Sequence, residues 1–259
     1  MKPAIHWMIA IVGAFLSTHL WASDQHKGAK ALYYDQTSGA TVQSGSGASA
    51  GKTAAPQPGY TGLKYWVELV QPNSSQILRV SSTRAFHSGE RIRLHFESNM
   101  DGRIVLVQIN PNGTSQMLYP DQRINSGDNH IKAGVDTTVP PGNAWFTFDN
   151  NPGTERLLVF LNADSGPIPA PSHSKRAHAE NESMIASTAF TSSDGKLDAA
   201  ATSGLASQVE KQRGGKSLVL EVDDKSDSPA DYVVKPVSYK QGEEGAGKAL
   251  AIEIQLKHQ

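Results

Sequence analysis

The sequence predicts an all-β protein, an immunoglobulin-like sandwich of short antiparallel strands. Three observations carry this. Polar and apolar residues alternate with a period of two across residues 62–163, most plainly in Arg91-Ile92-Arg93-Leu94-His95-Phe96-Glu97. Asn, Pro and Gly cluster between the alternating runs, as in Asn99-Met100-Asp101-Gly102 and Asn110-Pro111-Asn112-Gly113, where tight turns use them. The same period returns near the end of the sequence, where Leu250, Ile252, Ile254 and Leu256 fall on one face of residues 249–257.

In chain order, Lys2 precedes an apolar run over residues 4–16 that is interrupted only by His6. A run of about a dozen residues suits a signal peptide and is short for a membrane span. Residues 1–22 are therefore expected to be a cleaved leader, with the cut after Ala22. The rest would be exported to the periplasm or the extracellular space, with no transmembrane span left after cleavage. Residues 23–61 are expected to stay unstructured. In residues 37–55, 16 of 19 residues are Gly, Ser, Ala or Thr, too little apolar surface to offset the entropy of ordering.

The β-domain is expected over residues 62–163, with strands at 63–70, 76–80, 91–97, 103–109, 115–119, 137–139, 144–148 and 155–161. Residues 99–102 form a turn in which Gly102 would supply a positive φ. Residues 103–109 (RIVLVQI) are apolar on both faces and predict a central strand covered on both sides. Residues 164–204 open with the Pro-rich SGPIPAPSHSK and predict a flexible linker. A short helix is expected over 205–213, where Leu205 and Val209 lie four apart and Gly214-Gly215 stops it. Strands at 217–222, 232–234 and 249–257 follow. Three strands are marginal alone, so they are expected to pack on the central β-domain.

Composition excludes several function classes. The 259 residues carry 24 Lys+Arg against 25 Asp+Glu, a formal net charge of -1, which argues against binding nucleic acid by phosphate neutralisation. The absence of Cys rules out thiol catalysis, disulfides and cysteinyl zinc sites.

No catalytic, cofactor-binding or metal residue is expected, and no cofactor. Gly47-Ala48-Ser49-Ala50-Gly51 has the spacing of a hydrolase elbow but sits in a small-residue tract, without the flanking strand and helix that expose such a serine. His173, His178, Glu180 and Glu182 match no metal-ligand spacing and follow the Pro-rich segment. His87, His95 and His130 are expected to be surface imidazoles, with His95 on the polar face of its strand. Asp121, Asp128 and Asn129, and Asp149, Asn150 and Asn151, suit Asx turns better than a calcium loop. Tyr65, Trp66, Tyr119, Trp145 and Phe146 could form a stacking platform, but for Trp66 and Trp145 a place in the core is favoured. An exposed edge strand, the C-terminal one included, could capture a partner by strand addition.

Residues 88–120 (SGERIRLHFESNMDGRIVLVQINPNGTSQMLYP), together with Gly153-Thr154-Glu155-Arg156-Leu157, resemble the bacterial family called domain of unknown function 4384. The family's pattern runs from an SG-polar-x-I/L-R-L strand through an SN-x-DG hairpin to L-F/Y-P and G-T/S-E-x-L, and the resemblance covers about residues 62–163. It implies a β-domain of exported or envelope-associated bacterial proteins with no established catalytic residues. The expected function is a non-enzymatic binding or interaction module of the envelope or secreted space. Its partner would be another envelope protein or an extracellular ligand, and not nucleic acid. The alternatives are an accessory or regulatory subunit of an envelope enzyme or secretion machine and a hydrolase with an unrecognised site.

Overall fold

A computed structural model describes residues 28–35, 59–121, 125–163, 195–215, 218–237 and 249–259. The expected leader and its cleavage point lie outside the described residues, as do the Gly47–Gly51 motif and His173, His178, Glu180 and Glu182.

The chain opens with helix α1 (Ala29–Tyr34), then β1 (Tyr60–Val70), β2 (Ile77–Val80), β3 (Ala85–Phe86) and β4 (Arg91–Ser98). Next come β5 (Gly102–Ile109), β6 (Ser115–Tyr119), β7 (His130–Ile131), β8 (Thr137–Val139) and β9 (Phe146–Thr147). The last elements are β10 (Gly153–Ala163), β11 (Lys196–Leu197), helix α2 (Ala199–Gly214), β12 (Val219–Asp223), β13 (Ala230–Pro236) and β14 (Leu250–His258).

These strands form the two sheets of an all-β sandwich. One runs β12-β13-β1-β4-β8, with β2 on β1 and β9 on β4. The other runs β11-β6-β5-β10-β14-β3, with β7 on β5. Pairing is antiparallel apart from the short β14–β3 contact. The inward faces interlock: Leu63, Val67 and Leu69 of β1 and Leu94 and Phe96 of β4 meet Ile104, Leu106, Val159 and Leu161, with Leu250, Ile252, Ile254 and Leu256 of β14 beside them. The C-terminal strand is thus built into the sandwich, between β10 and β3, as its alternation requires.

Each sheet is also covered from outside. Leu205 and Val209 of α2 bury Val105, Val107, Leu158 and Phe160, which explains why residues 103–109 are apolar on both faces. Helix α2 begins at Ala199, six residues before the sequence pattern suggests. The Asp198 carboxylate caps it by accepting from Ala201 N at 2.7 Å, and small residues (AAATSG) complete its first turns. The expected linker therefore ends earlier than residue 204.

Residues 28–35 depart from the expected unstructured segment in the same way. Tyr33 is buried against Trp66, Tyr232 and Val234, and its hydroxyl donates to Glu97 O at 3.0 Å. Lys30 pairs with Asp223 at 2.6 Å. The low-complexity reading rests on residues 37–55, whereas two tyrosines just before them supply enough surface to dock a helix.

Gly102 is not the positive-φ residue of a turn. It opens β5 opposite Ala163, and a Cβ there would lie 2.3 Å from the Asn162 carbonyl oxygen. Close backbone approach fixes the glycine. Asn99 secures the preceding loop, accepting from Gly62 N at 2.7 Å and donating to Tyr60 O at 2.8 Å.

Candidate functional site

Among the described residues, the sandwich does not close along one side. There β12 is the edge of one sheet, and most of β14 is the edge of the other. On β12, Val219 packs with the α1 cluster, and the Glu221 carboxylate accepts from Lys30 N at 2.9 Å, so these residues face outward. Leu218, Leu220 and Val222 therefore face inward. Yet Leu220 is 56% exposed and Val222 39%, because among the described residues no strand of the opposite sheet lies over them.

The opposite wall is β14. Its Ala251 amide donates to Gln212 Oε1 at 2.9 Å, away from β10, so the backbone groups of Glu253 and Gln255 point the same way. Among the described residues, no backbone group pairs with them on that side. Between the walls lies a cleft of about 270 Å³, apolar at Leu220, Val222 and Val233 on one side and at Ile252 and Ile254 on the other.

A buried polar group forms its floor. Ser82 donates to Asp231 Oδ2 at 2.5 Å, and Tyr65 also hydrogen-bonds to Asp231. Burial pushes the Asp231 carboxyl above its ordinary value of 3.8, partly offset by the Ser82 and Tyr65 hydrogen bonds. Burial and the neighbouring Asp231 push the Tyr65 phenol well above its ordinary value. An acid whose value is raised by folding stabilises the native state at low pH and loses that contribution as pH rises through the folded value. The denaturant midpoint of the wild type, relative to Asp231→Asn, is therefore expected to climb as pH falls from about 7 to about 4. A relative midpoint that falls over this window would contradict the assignment.

The outer face of the first sheet carries a cluster of ionisable and aromatic groups. The Trp66 and His95 rings, from paired positions on β1 and β4, stack at 4.8 Å and 12°. Arg79 lies 4.2 Å from the Trp66 ring centre. His95 is only 5% exposed, so the expectation of a surface imidazole is corrected. Alternation placed it on the polar face, but the Trp66 ring on the adjacent strand covers it.

The His95 Nδ1 lies 2.9 Å from the Asp136 carboxylate, and Nε2 lies 3.1 Å from Glu68 Oε2 without hydrogen-bond alignment. Burial raises the Glu68 carboxyl, but Arg93 at 2.6 Å and His95 outweigh that and hold it below its usual range. Both imidazole nitrogens thus face carboxylates, leaving neither to activate a nucleophile. The Arg93–Glu68 ion pair and the His95 ring are roofed by the two indoles.

The other sequence candidates are scattered. His87 and His130 are exposed, as expected of surface imidazoles. His130 Nδ1 pairs with Asp128, and Asp149 closes an Asx turn by accepting from Asn151 N at 2.8 Å. Tyr65 and Tyr119 are buried in the inter-sheet core. Trp66 is buried but outside that core, under α1 and Arg79, and Trp145 is half-buried over the Arg93 guanidinium. The five aromatics therefore form no common platform. The open side was missed because its signal is a mismatch: inward positions of an alternating strand that lack an opposite partner. Among the described residues, no helix is long and apolar enough to cross a membrane.

Residues 85–164 match the family model of a domain of unknown function (DUF4384). The match runs from β3 through β10, so β1 and the C-terminal strands that complete both sheets lie outside it. No curated protein and no solved structure matches the chain.

Proposed function

We propose that the protein is a non-enzymatic interaction module of the bacterial envelope or secreted space, which captures an extended segment of a partner protein between β12 and β14. The observation that carries this reading is the solvent exposure of the inward-facing Leu220 and Val222 opposite an unpaired edge of β14. A strand laid there would pair its backbone with Glu253 and Gln255 and set alternate apolar side chains against Leu220, Val222, Ile252 and Ile254. The partner segment is therefore extended and alternating, with small or β-branched residues on its buried face. Lys2 and the apolar run over residues 4–16 support export.

Peptides of alternating Val and Thr, screened by hydrogen exchange on the full chain, test the reading. Bound peptide is expected to slow exchange of the Glu253 and Gln255 amides. Leu220→Asp should abolish that protection while leaving the unfolding free energy within about 0.5 kcal/mol of wild type, as for an exposed site. Undiminished protection in Leu220→Asp, or protection elsewhere only, would remove the cleft from the account.

A further inference from the structure

At the end of the sandwich where β10 begins, the inward face of the second sheet stops being apolar. Gln116 on β6, Gln108 on β5 and Glu155 on β10 occupy inward positions on three adjacent strands, where alternation with Leu106 and Leu157 would otherwise place core residues. They form a directed chain. Gln116 Nε2 donates to Gln108 Oε1 at 3.2 Å, and Gln108 Nε2 donates to Glu155 Oε2 at 2.9 Å. The chain ends on the carboxylate.

Glu155 is 8% exposed. No ion pair reaches it, and its Oε1 accepts no hydrogen bond, among the described residues. A buried carboxylate held by one neutral amide is costly and gives the fold little in return. It borders a cleft of about 290 Å³ between the sheets, with a floor of Ile92, Phe146, Phe148, Leu157 and Leu256. Asp149 stands at the rim, and among the described residues no Lys, Arg or His lines the cleft. Among the described residues the site therefore presents an apolar floor, polar walls that include Asn110 and Thr147, and a carboxylate that lacks its counter-charge.

We infer that this cleft binds an ammonium group carried on an aliphatic chain. The chain lies against Phe146, Phe148 and Leu157, and the ammonium donates to Glu155 Oε1 in the space that the Gln108 amide leaves free. Desolvated pairing with a fixed carboxylate is stronger than the same pairing in water, and the apolar floor rejects ions without a hydrocarbon stem. The source is either a free alkylamine or the side chain of a lysine on another protein. Both offer the same chemistry and differ in the backbone attached.

The test uses the full chain titrated with n-butylammonium, with N-acetyl-lysine methylamide, and with n-butanol and n-butyrate as controls. The readouts are calorimetry and the side-chain amide resonances of Gln108 and Gln116. Saturable binding of n-butylammonium that shifts both amides is expected, with n-butanol and n-butyrate at least about tenfold weaker, a difference of about 1.4 kcal/mol. Tighter binding of N-acetyl-lysine methylamide assigns the site to a protein lysine, and tighter binding of n-butylammonium assigns it to a free amine. Glu155→Gln keeps the shape and should lose at least tenfold in affinity, with a melting temperature equal to or above wild type. The inference is overturned if n-butanol matches n-butylammonium, if Glu155→Gln binds undiminished, if neither amine saturates, or if Glu155→Gln fails to fold and so shows the carboxylate to be structural.

Discussion

Ile254→Asp is expected to remove most or all of the folding stability at neutral pH. Ile254 is 2% exposed, lies opposite Leu157 of β10 and faces the inter-sheet core with Leu250, Ile252 and Leu256. Burying such a side chain contributes roughly 1.5–3 kcal/mol. The replacement forfeits that and adds an uncompensated charge, so a loss above about 4 kcal/mol is expected, against a typical total of about 5–15. Gln255 faces outward on the same strand, but it donates to Glu253 Oε1 at 2.7 Å, and an aspartate there would repel Glu253. The suitable control is therefore Gln255→Lys, expected to be nearly neutral. Denaturant midpoints of the two variants decide the matter: two wild-type midpoints would mean that β14 does not belong to the core.

Trp66→Ala is expected to cost about 3–5 kcal/mol although the residue lies outside the inter-sheet core. Its indole is 9% exposed, stacks on His95 and holds Arg79 at 4.2 Å and Lys64 at 5.1 Å. Removal opens His95 to water and takes away part of the surface on which Tyr33 docks. Trp145→Ala, which uncovers only the Arg93 guanidinium, should cost about 1 kcal/mol or less, as for one cation–π contact at a half-exposed site. Urea unfolding of both variants separates them. Equal losses would show that the outer-face stack is no better packed than the Trp145 contact.

Strands of four or more residues were legible because alternation is a property of the chain itself. Residues 91–97, 115–119 and 249–257 could be read within a residue or two of β4, β6 and β14. The two-residue strands β3, β7 and β11 were not legible, since pairs such as Ala85-Phe86 have no period and exist only through the partner beside them. Helix α1 was hidden by its small-residue neighbours, and the first turns of α2 by their lack of large apolar residues. His95 shows the limit of a polar-face reading, because alternation assigns a face but not what covers it. The open side and the Glu155 cleft both depend on which strands end up as edges or ends, a property of topology. Glu155 was visible only as a letter in the G-T-E-x-L pattern, and Gln108 only as a polar residue near the end of an apolar run.

The place of β14 has a consequence for the order of assembly. Arg156 on β10 pairs through two guanidinium nitrogens, Nε and Nη2, with Glu253 on β14, 97 positions later in the chain. Strand β1 likewise needs β13, pairing Tyr60 with Pro236. Neither sheet can be completed during synthesis until nearly the whole sequence has been made, and pairings this distant close slowly because the loop entropy comes first. A nascent chain shorter than about 250 residues therefore exposes the apolar edge of β10. It stays in an unfinished state, and residues 250–258 act as the latch that ends that state.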